Sequence, residues 1–220
     1  MSSLVRLPKN FYQQNTFIVA KGLLGKYLIR KDKKQILIGK IVETEAYYGP
    51  FDLASHASRG KTERTKIMFD QPGLAYIYLI YGMYYCFNIV TESQNFPAAV
   101  LIRAIEPTAG IKQMVRNRKC HPELSRRVTP PHCHSSTELT MTMRLTNGPA
   151  KLCQAFKIDK KLNGHNLFTS KILYLAENTK EKIKPSQIQS AKRIGIDYAG
   201  QYKHKPWRFY LKNNPFISCK

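Results

Sequence analysis

Between residues 74 and 91 the chain is patterned as a β-hairpin. Residues 74–80 and 84–91 are apolar runs rich in β-branched and aromatic side chains. They meet around Tyr81, Gly82 and Met83, where Gly82 is free to adopt the positive φ of a tight connection. Residues 36–48 form another strand-like run dominated by β-branched side chains, and residues 98–105 a further apolar strand closed by Pro107. Side chains alternate along a strand, so Ile41, Glu43, Glu45 and Tyr47 share one face while Val42, Thr44 and Ala46 take the other. Two carboxylates thus lie on one surface.

Helical signals surround these strands. Phe17, Ile18, Ala20, Leu23 and Leu24 predict an amphipathic helix over residues 15–28, broken near Gly22 and Gly25, with a polar turn at 31–35 before the next strand. Thr108 is placed to cap a helix running to about Arg118, with Ile111, Met114 and Val115 on its apolar side. Asn147-Gly148-Pro149 starts a further helix through Leu152, Cys153 and Phe156. A strand at 172–176, a charged turn at 178–184, a short helix after Pro185 and a final strand at 207–211 complete the pattern, with no internal repeat. Residues 49–70 are too long for a tight turn and read as a functional loop. Residues 119–144 lack periodicity and read as a surface loop or insertion. At 220 residues, a single domain over 1–220 is expected.

Thirty-six Lys and Arg against fourteen Asp and Glu leave a net charge of +22, which points to a polyanionic partner, nucleic acid above all. No apolar run approaches the roughly 18 residues of a membrane span, and residues 1–10 have no secretory core, so a soluble intracellular protein is expected. In a bacterium that means cytoplasm or nucleoid, in a eukaryote the nucleus. The five cysteines are odd in number and widely spread, which fits reduced thiols. Cys120, His121, His132, Cys133 and His134 invite a zinc reading, but their spacings match no standard site, and no metal or cofactor is expected.

Five of the thirteen tyrosines, Tyr76, Tyr78, Tyr81, Tyr84 and Tyr85, fall within ten residues. Cross-strand aromatic pairing accounts for most of them. Tyr81 is different, because an aromatic beside a turn glycine in a basic protein is placed to enter a duplex as a wedge while a base leaves the stack. Glu43 and Glu45 are either ion-pair partners or the source of a carboxylate that deprotonates a water at an anomeric carbon. Arg103, flanked by Leu101, Ile102, Ala104 and Ile105, needs an anionic or hydrogen-bonding partner if buried: Glu45, a phosphate, or, as an ordinary structural ion pair, Glu106 or another carboxylate.

These residues carry a resemblance. Leu23-Leu24-Gly25, the run from Ile41 to Tyr47, the hairpin from Tyr78 to Ile89, Leu101 to Pro107, Asn147 to Ala155 and Pro206 to Tyr210 occur in the order found in the 3-methyladenine (alkyladenine) DNA glycosylases, and the chain resembles that family over most of its length. The resemblance implies an α+β fold: one domain with a curved, mainly antiparallel sheet, a protruding β-hairpin and peripheral helices. It implies a monomeric, monofunctional enzyme that acts on double-stranded DNA containing damaged purines, needs no cofactor, and leaves an abasic site. Glu45 matches the family's general base, Arg103 its active-site arginine and Tyr81 its intercalating residue. Tyr47, His56 and Tyr78 match the aromatic surfaces around the extruded base, and Asn88 the residue that excludes normal guanine. Backbone groups near Ala54 are expected to assist a neutral leaving base. The rival reading is a non-catalytic basic domain that uses the same groove to bind nucleic acid.

Overall fold

The computed structural model describes residues 4–119 and 142–218. Nine antiparallel strands make one open sheet: β1 (Leu4–Arg6), β2 (Tyr27–Asp32), β3 (Gln35–Tyr48), β4 (Ala75–Ile80), β5 (Tyr84–Val90), β6 (Ala98–Ala109), β7 (Leu173–Asn178), β8 (Ile188–Ala191) and β9 (Arg208–Leu211). Their order is β1-β7-β2-β3-β6-β5-β4, with β9 pairing both β3 and β8. This is the α+β architecture expected from the sequence. The long strand β3 organises it: β2 borders its first half, β9 residues 43–45, and β6 nearly its whole length.

One face of the sheet carries the main core, in which Leu28, Ile41, Phe87, Ile89, Ile102 and Ile105 meet α2 (Thr16–Gly22) and α4 (Pro149–Phe156). The helices α1 (Lys9–Tyr12) and α3 (Ile111–Lys119) precede α2 and α4 in sequence. Truncating a ring such as Phe87 or Phe156, both fully buried, is expected to cost about 3–5 kcal/mol. Residues 51–70 fold over the opposite face, where Ala57 and Met68 pack on Leu74, Tyr76, Val90 and Ala99. The functional loop of the sequence reading is therefore the cover of a second small core, shaped by 3-10 turns at His56–Arg59 and Lys66–Phe69.

Several boundaries differ from expectation. The helix predicted over 15–28 is capped by Asn15, whose side chain accepts from the Phe17 N–H, but it stops at Gly22, and Leu28 belongs to β2. Strand β6 does not close at Pro107 but continues to Ala109, so Thr108 is a strand residue rather than a cap, and α3 starts only at Ile111. Proline is accommodated because β5 pairs β6 only as far as Leu101, and the β3 ladder opposite Pro107 is already interrupted by a register shift. After Pro185 there is a 3-10 turn, Pro185–Gln187, leading into β8, which the sequence pattern did not reveal. Lys119 ends α3, while 120–141, with the residues of the zinc reading, lie outside the described residues. Among the described residues no helix is long and apolar enough to cross a membrane.

Candidate active site

Two register shifts build the site. Ile41 faces Ile105, Glu43 faces Ala104 and Thr44 faces Ile102, so the ladder steps over Val42 on β3 and Arg103 on β6. Such irregularities bend the strands and re-aim side chains. Here the result turns Arg103 toward both acids: its Nε lies 3.3 Å from Glu43 Oε1 and its Nη1 3.2 Å from Glu45 Oε1. Of the partners considered, Glu45 and another carboxylate, Glu43, hold Arg103, whereas Glu106 accepts from Asn214 instead. Burial alone would make the Arg103 cation harder to keep, but Glu45 and Glu43 outweigh it and the guanidinium pKa rises.

The two acids are used differently. Glu43, fully buried, is held by four donors: Arg208 Nη1 (2.9 Å), Ser218 Oγ (2.9 Å) and Arg103 Nε on Oε1, and the Ser218 N–H (2.6 Å) on Oε2. Glu45, equally buried, accepts the Ile194 N–H (2.8 Å) and Arg103 on Oε1, and the Tyr47 hydroxyl (2.9 Å) on Oε2. One acceptor position on Oε2 is left over.

Those three partners of Glu45, namely Tyr47, Arg103 and Ile194, line a cavity of about 500 Å³. Its walls also include Ala54, His56, Tyr78, Tyr81 and Asn88, so the structure brings every sequence-predicted site residue except the buried Glu45 to the lining itself, with Glu45 directly behind. His56 stands edge-on to Tyr78 at 4.5 Å between ring centroids and its Nδ1 lies 2.9 Å from the Tyr76 hydroxyl. Burial, then the Arg64 and Arg59 cations, push the His56 pKa down to about 4, so the ring is neutral at pH 7. Burial and then Glu45 hold the Tyr47 phenol well above its usual range, and burial and then Cys86 do the same to Tyr78. Asn88 is fixed by donating to the Tyr76 carbonyl at 3.1 Å. The Ala54 N–H is committed to Asp52 Oδ1 at 3.1 Å, so of Ala54's own backbone groups only the carbonyl, 3.5 Å from the Tyr198 hydroxyl, faces other chemistry.

At the tip of the hairpin Tyr81 is 84 % exposed. It holds φ +52°, and Gly82 follows at +71°, with the Met83 N–H bonded back to the Ile80 carbonyl. Two successive positive φ values match the mirror-image turns that suit strand twist, but a bulky aromatic in that region is strained by about 1 kcal/mol.

Sequence reasoning missed the supports. Arg193 is wholly buried and clamps Asp52 through Nη1–Oδ2 (2.5 Å) and Nη2–Oδ1 (2.8 Å), while its guanidinium sits 4.8 Å from the Tyr47 ring centroid. Arg208 and Ser218 do the same service for Glu43. The available signal was the one used for Arg103, an arginine among apolar neighbours, since Arg208 lies between Trp207 and Phe209. Among the described residues no cluster of three or more His, Cys, Asp or Glu could hold a metal ion.

Comparison with known proteins gives a consistent result. The profile of the methylpurine-DNA glycosylase family matches residues 10–215. A relative from Desulfitobacterium hafniense strain Y51, named "Putative 3-methyladenine DNA glycosylase", is 44% identical over 218 residues, covering 98% of this chain and 99% of its own. Relatives of the same name from Clostridium perfringens strain SM101 (46% over 219 residues; 98% and 100%) and the archaeon Methanocella arvoryzae (44% over 212; 96% and 95%) agree. With the match spanning the sheet, the acid pair and the cavity alike, the chain belongs to the methylpurine-DNA glycosylase family.

Proposed function

We propose that the chain is a monofunctional DNA glycosylase of base excision repair, which extrudes alkylated or deaminated purines from duplex DNA and hydrolyses the N-glycosidic bond with a water activated by Glu45. The observation that carries this reading is the leftover acceptor position on Glu45, a carboxylate otherwise held by three donors that border a cavity able to take a purine. Glu45 takes a proton from the water as its oxygen bonds to the anomeric carbon, and the bond electrons leave with the base. A cationic alkylated purine departs as a neutral molecule, so no strong acid is required. The same carboxylate stabilises the positive charge that develops on the sugar.

Arg103 positions Glu45. Tyr47, His56 and Tyr78 supply the surfaces between which the base stacks, an arrangement that favours electron-poor cationic rings. Asn88 narrows the floor against a normal guanine, and Ala54 offers a carbonyl to the base edge. Tyr81 enters the duplex in place of the extruded nucleotide, and the net charge of +22 holds the phosphate backbone.

The decisive experiment uses duplexes that each carry one lesion: 3-methyladenine, 7-methylguanine, hypoxanthine or ethenoadenine. Base release is read by alkali cleavage at the abasic site. At least one lesion is released by the wild type, and Glu45→Gln lowers that rate roughly 10³-fold with duplex affinity nearly intact. Unchanged release in Glu45→Gln would remove the mechanism. Absence of release from every lesion would leave the binding-domain reading instead.

A further inference from the structure

A second cavity, of about 340 Å³, adjoins the base pocket and shares with it Ala54, Ser55, His56, Arg64 and Tyr198. Beyond that common wall it opens onto Leu53, Ser58, Arg59, Thr62 and Thr65. Its lining contains two guanidiniums and no carboxylate. Among the described residues neither Arg59 nor Arg64 has an acid within ion-pair distance, and the nearby Glu63 is spent on Lys66 at 2.7 Å.

The loop that presents these arginines is firmly built. Ser55 Oγ accepts the Ala57 N–H at the start of the 3-10 turn His56–Arg59, and Gly60 at φ +86° reverses the chain. Thr65 Oγ1 then donates to the Gly60 carbonyl at 2.9 Å, and the Thr62 N–H donates to Thr65 Oγ1 at 2.8 Å, closing the two arms on each other. Arg59 thus projects from one arm and Arg64 from the other. Arg64 also lies 5.1 Å from the Tyr78 ring centroid, so it touches the wall of the base pocket itself. The fields of both cations reach His56, consistent with the lowered pKa of that ring. Leu53 and Tyr198, 53 % and 68 % exposed, add an apolar edge beside the charges.

Paired guanidiniums suit a phosphate oxygen fork, and the apolar edge suits a deoxyribose. A nucleotide whose base fills the first cavity necessarily brings its own flanking phosphates to the border of that cavity. We propose that the second chamber seats one backbone phosphodiester next to the extruded nucleotide, with Arg59 and Arg64 as its ligands. This rests on the glycosylase reading above and specifies which part of the damaged strand the loop grips.

The test replaces single phosphodiesters around a lesion by neutral methylphosphonates and measures both base release and duplex binding, in the wild type and in Arg59→Ala. One linkage beside the lesion should cost the wild type about tenfold or more in kcat/KM, as expected for loss of a charge-assisted contact. In Arg59→Ala the same replacement should cost severalfold less than in the wild type, because only the Arg64 half of the contact remains to be lost. The binding of Arg59→Ala should also lose about one unit of salt dependence on a log–log plot. Equal penalties in the two proteins, or no sensitive linkage in the wild type, would overturn the proposal. Failure of the wild type to release any base would sink the glycosylase reading separately, and the coupling seen in binding would still decide the chamber.

Discussion

The floor of the proposed base pocket and its rim are built on opposite principles. On the floor, Glu43 and Glu45 are fully buried, Arg103 is 7 % exposed, and every charge has a partner from a different strand or loop. On the rim, Tyr81 and Tyr198 keep more than half their surface in water, and Tyr81 sits in a strained backbone conformation. The floor is complete without substrate, because reaction geometry held within fractions of an ångström requires fixed supports. The rim leaves apolar surface and cations exposed, the state of a surface whose stabilising contacts arrive with a partner. Substitutions should therefore separate the two: floor changes should alter stability and rate together, and rim changes should alter recognition with little effect on stability.

The sharpest attempt to break that distinction is Glu43→Gln. Glu43 does not border the cavity, yet removing its charge takes away the carboxylate that the buried Arg103 and Arg208 share, at a cost of about 3 kcal/mol. Thermal unfolding should report that loss. Below the transition, single-turnover base release should fall about 10–100-fold as Arg103 is drawn more fully onto Glu45 and makes it a poorer base, with KM for the lesion duplex nearly unchanged. A stable Glu43→Gln protein with full activity would show that the floor is not one unit.

Tyr81→Ala probes the rim. The side chain is 84 % exposed and its backbone strain is not worsened, so the melting temperature should scarcely move. Affinity for lesion duplex should drop about 10–30-fold, since the hole left by the extruded base is no longer filled and unstacking costs a few kcal/mol. A fluorescent base analogue opposite the lesion reports extrusion directly. Equal extrusion by both proteins would make Tyr81 a mere surface tyrosine.

This division explains what could be read before the coordinates. Local alternation was sufficient to place Glu43, Glu45 and Tyr47 on one face and to recognise the hairpin that carries Tyr78, Tyr81 and Asn88, since both follow from two-residue periodicity and a turn glycine, but it put Ile41 with the acids, whereas the irregularity at Val42 leaves Ile41 in the core beside Val42 and Ala46. The register shifts that aim Arg103 were hidden, because a bulge is a property of two strands and β3 meets β6 more than fifty residues later. Glu43 was ambiguous for the same reason: Arg208 and Ser218 stand 165 and 175 residues away in sequence. Pro107 misled because a proline usually ends a strand, whereas β6 lacks a regular second neighbour at that point. Short strands such as β1 and β8, of three and four residues, have too few alternations to announce themselves.

His56 belongs to both regions, and its titration measures how far the rim's charge penetrates. Burial, then Arg64 and Arg59, lower its folded pKa to about 4 from the ordinary 6.5. The unfolded chain therefore binds a proton between those values that the folded one refuses. The stabilising contribution is complete above pH 6.5 and is lost as pH falls toward 4. The ring is only partly shielded from water, so the loss is limited to about 1–2 kcal/mol after allowing for screening. Stability of His56→Gln should show a correspondingly weaker dependence on pH over that window, read by denaturant unfolding at steps between pH 4 and 7. Arg64→Ala gives the sharper comparison: removing the cation with the larger of the two effects raises the His56 pKa, measurable by NMR titration of the ring protons, while the burial contribution persists. If the titration midpoint does not move in Arg64→Ala, the Arg64 field stops short of the ring, and burial carries the shift with at most the smaller Arg59 contribution.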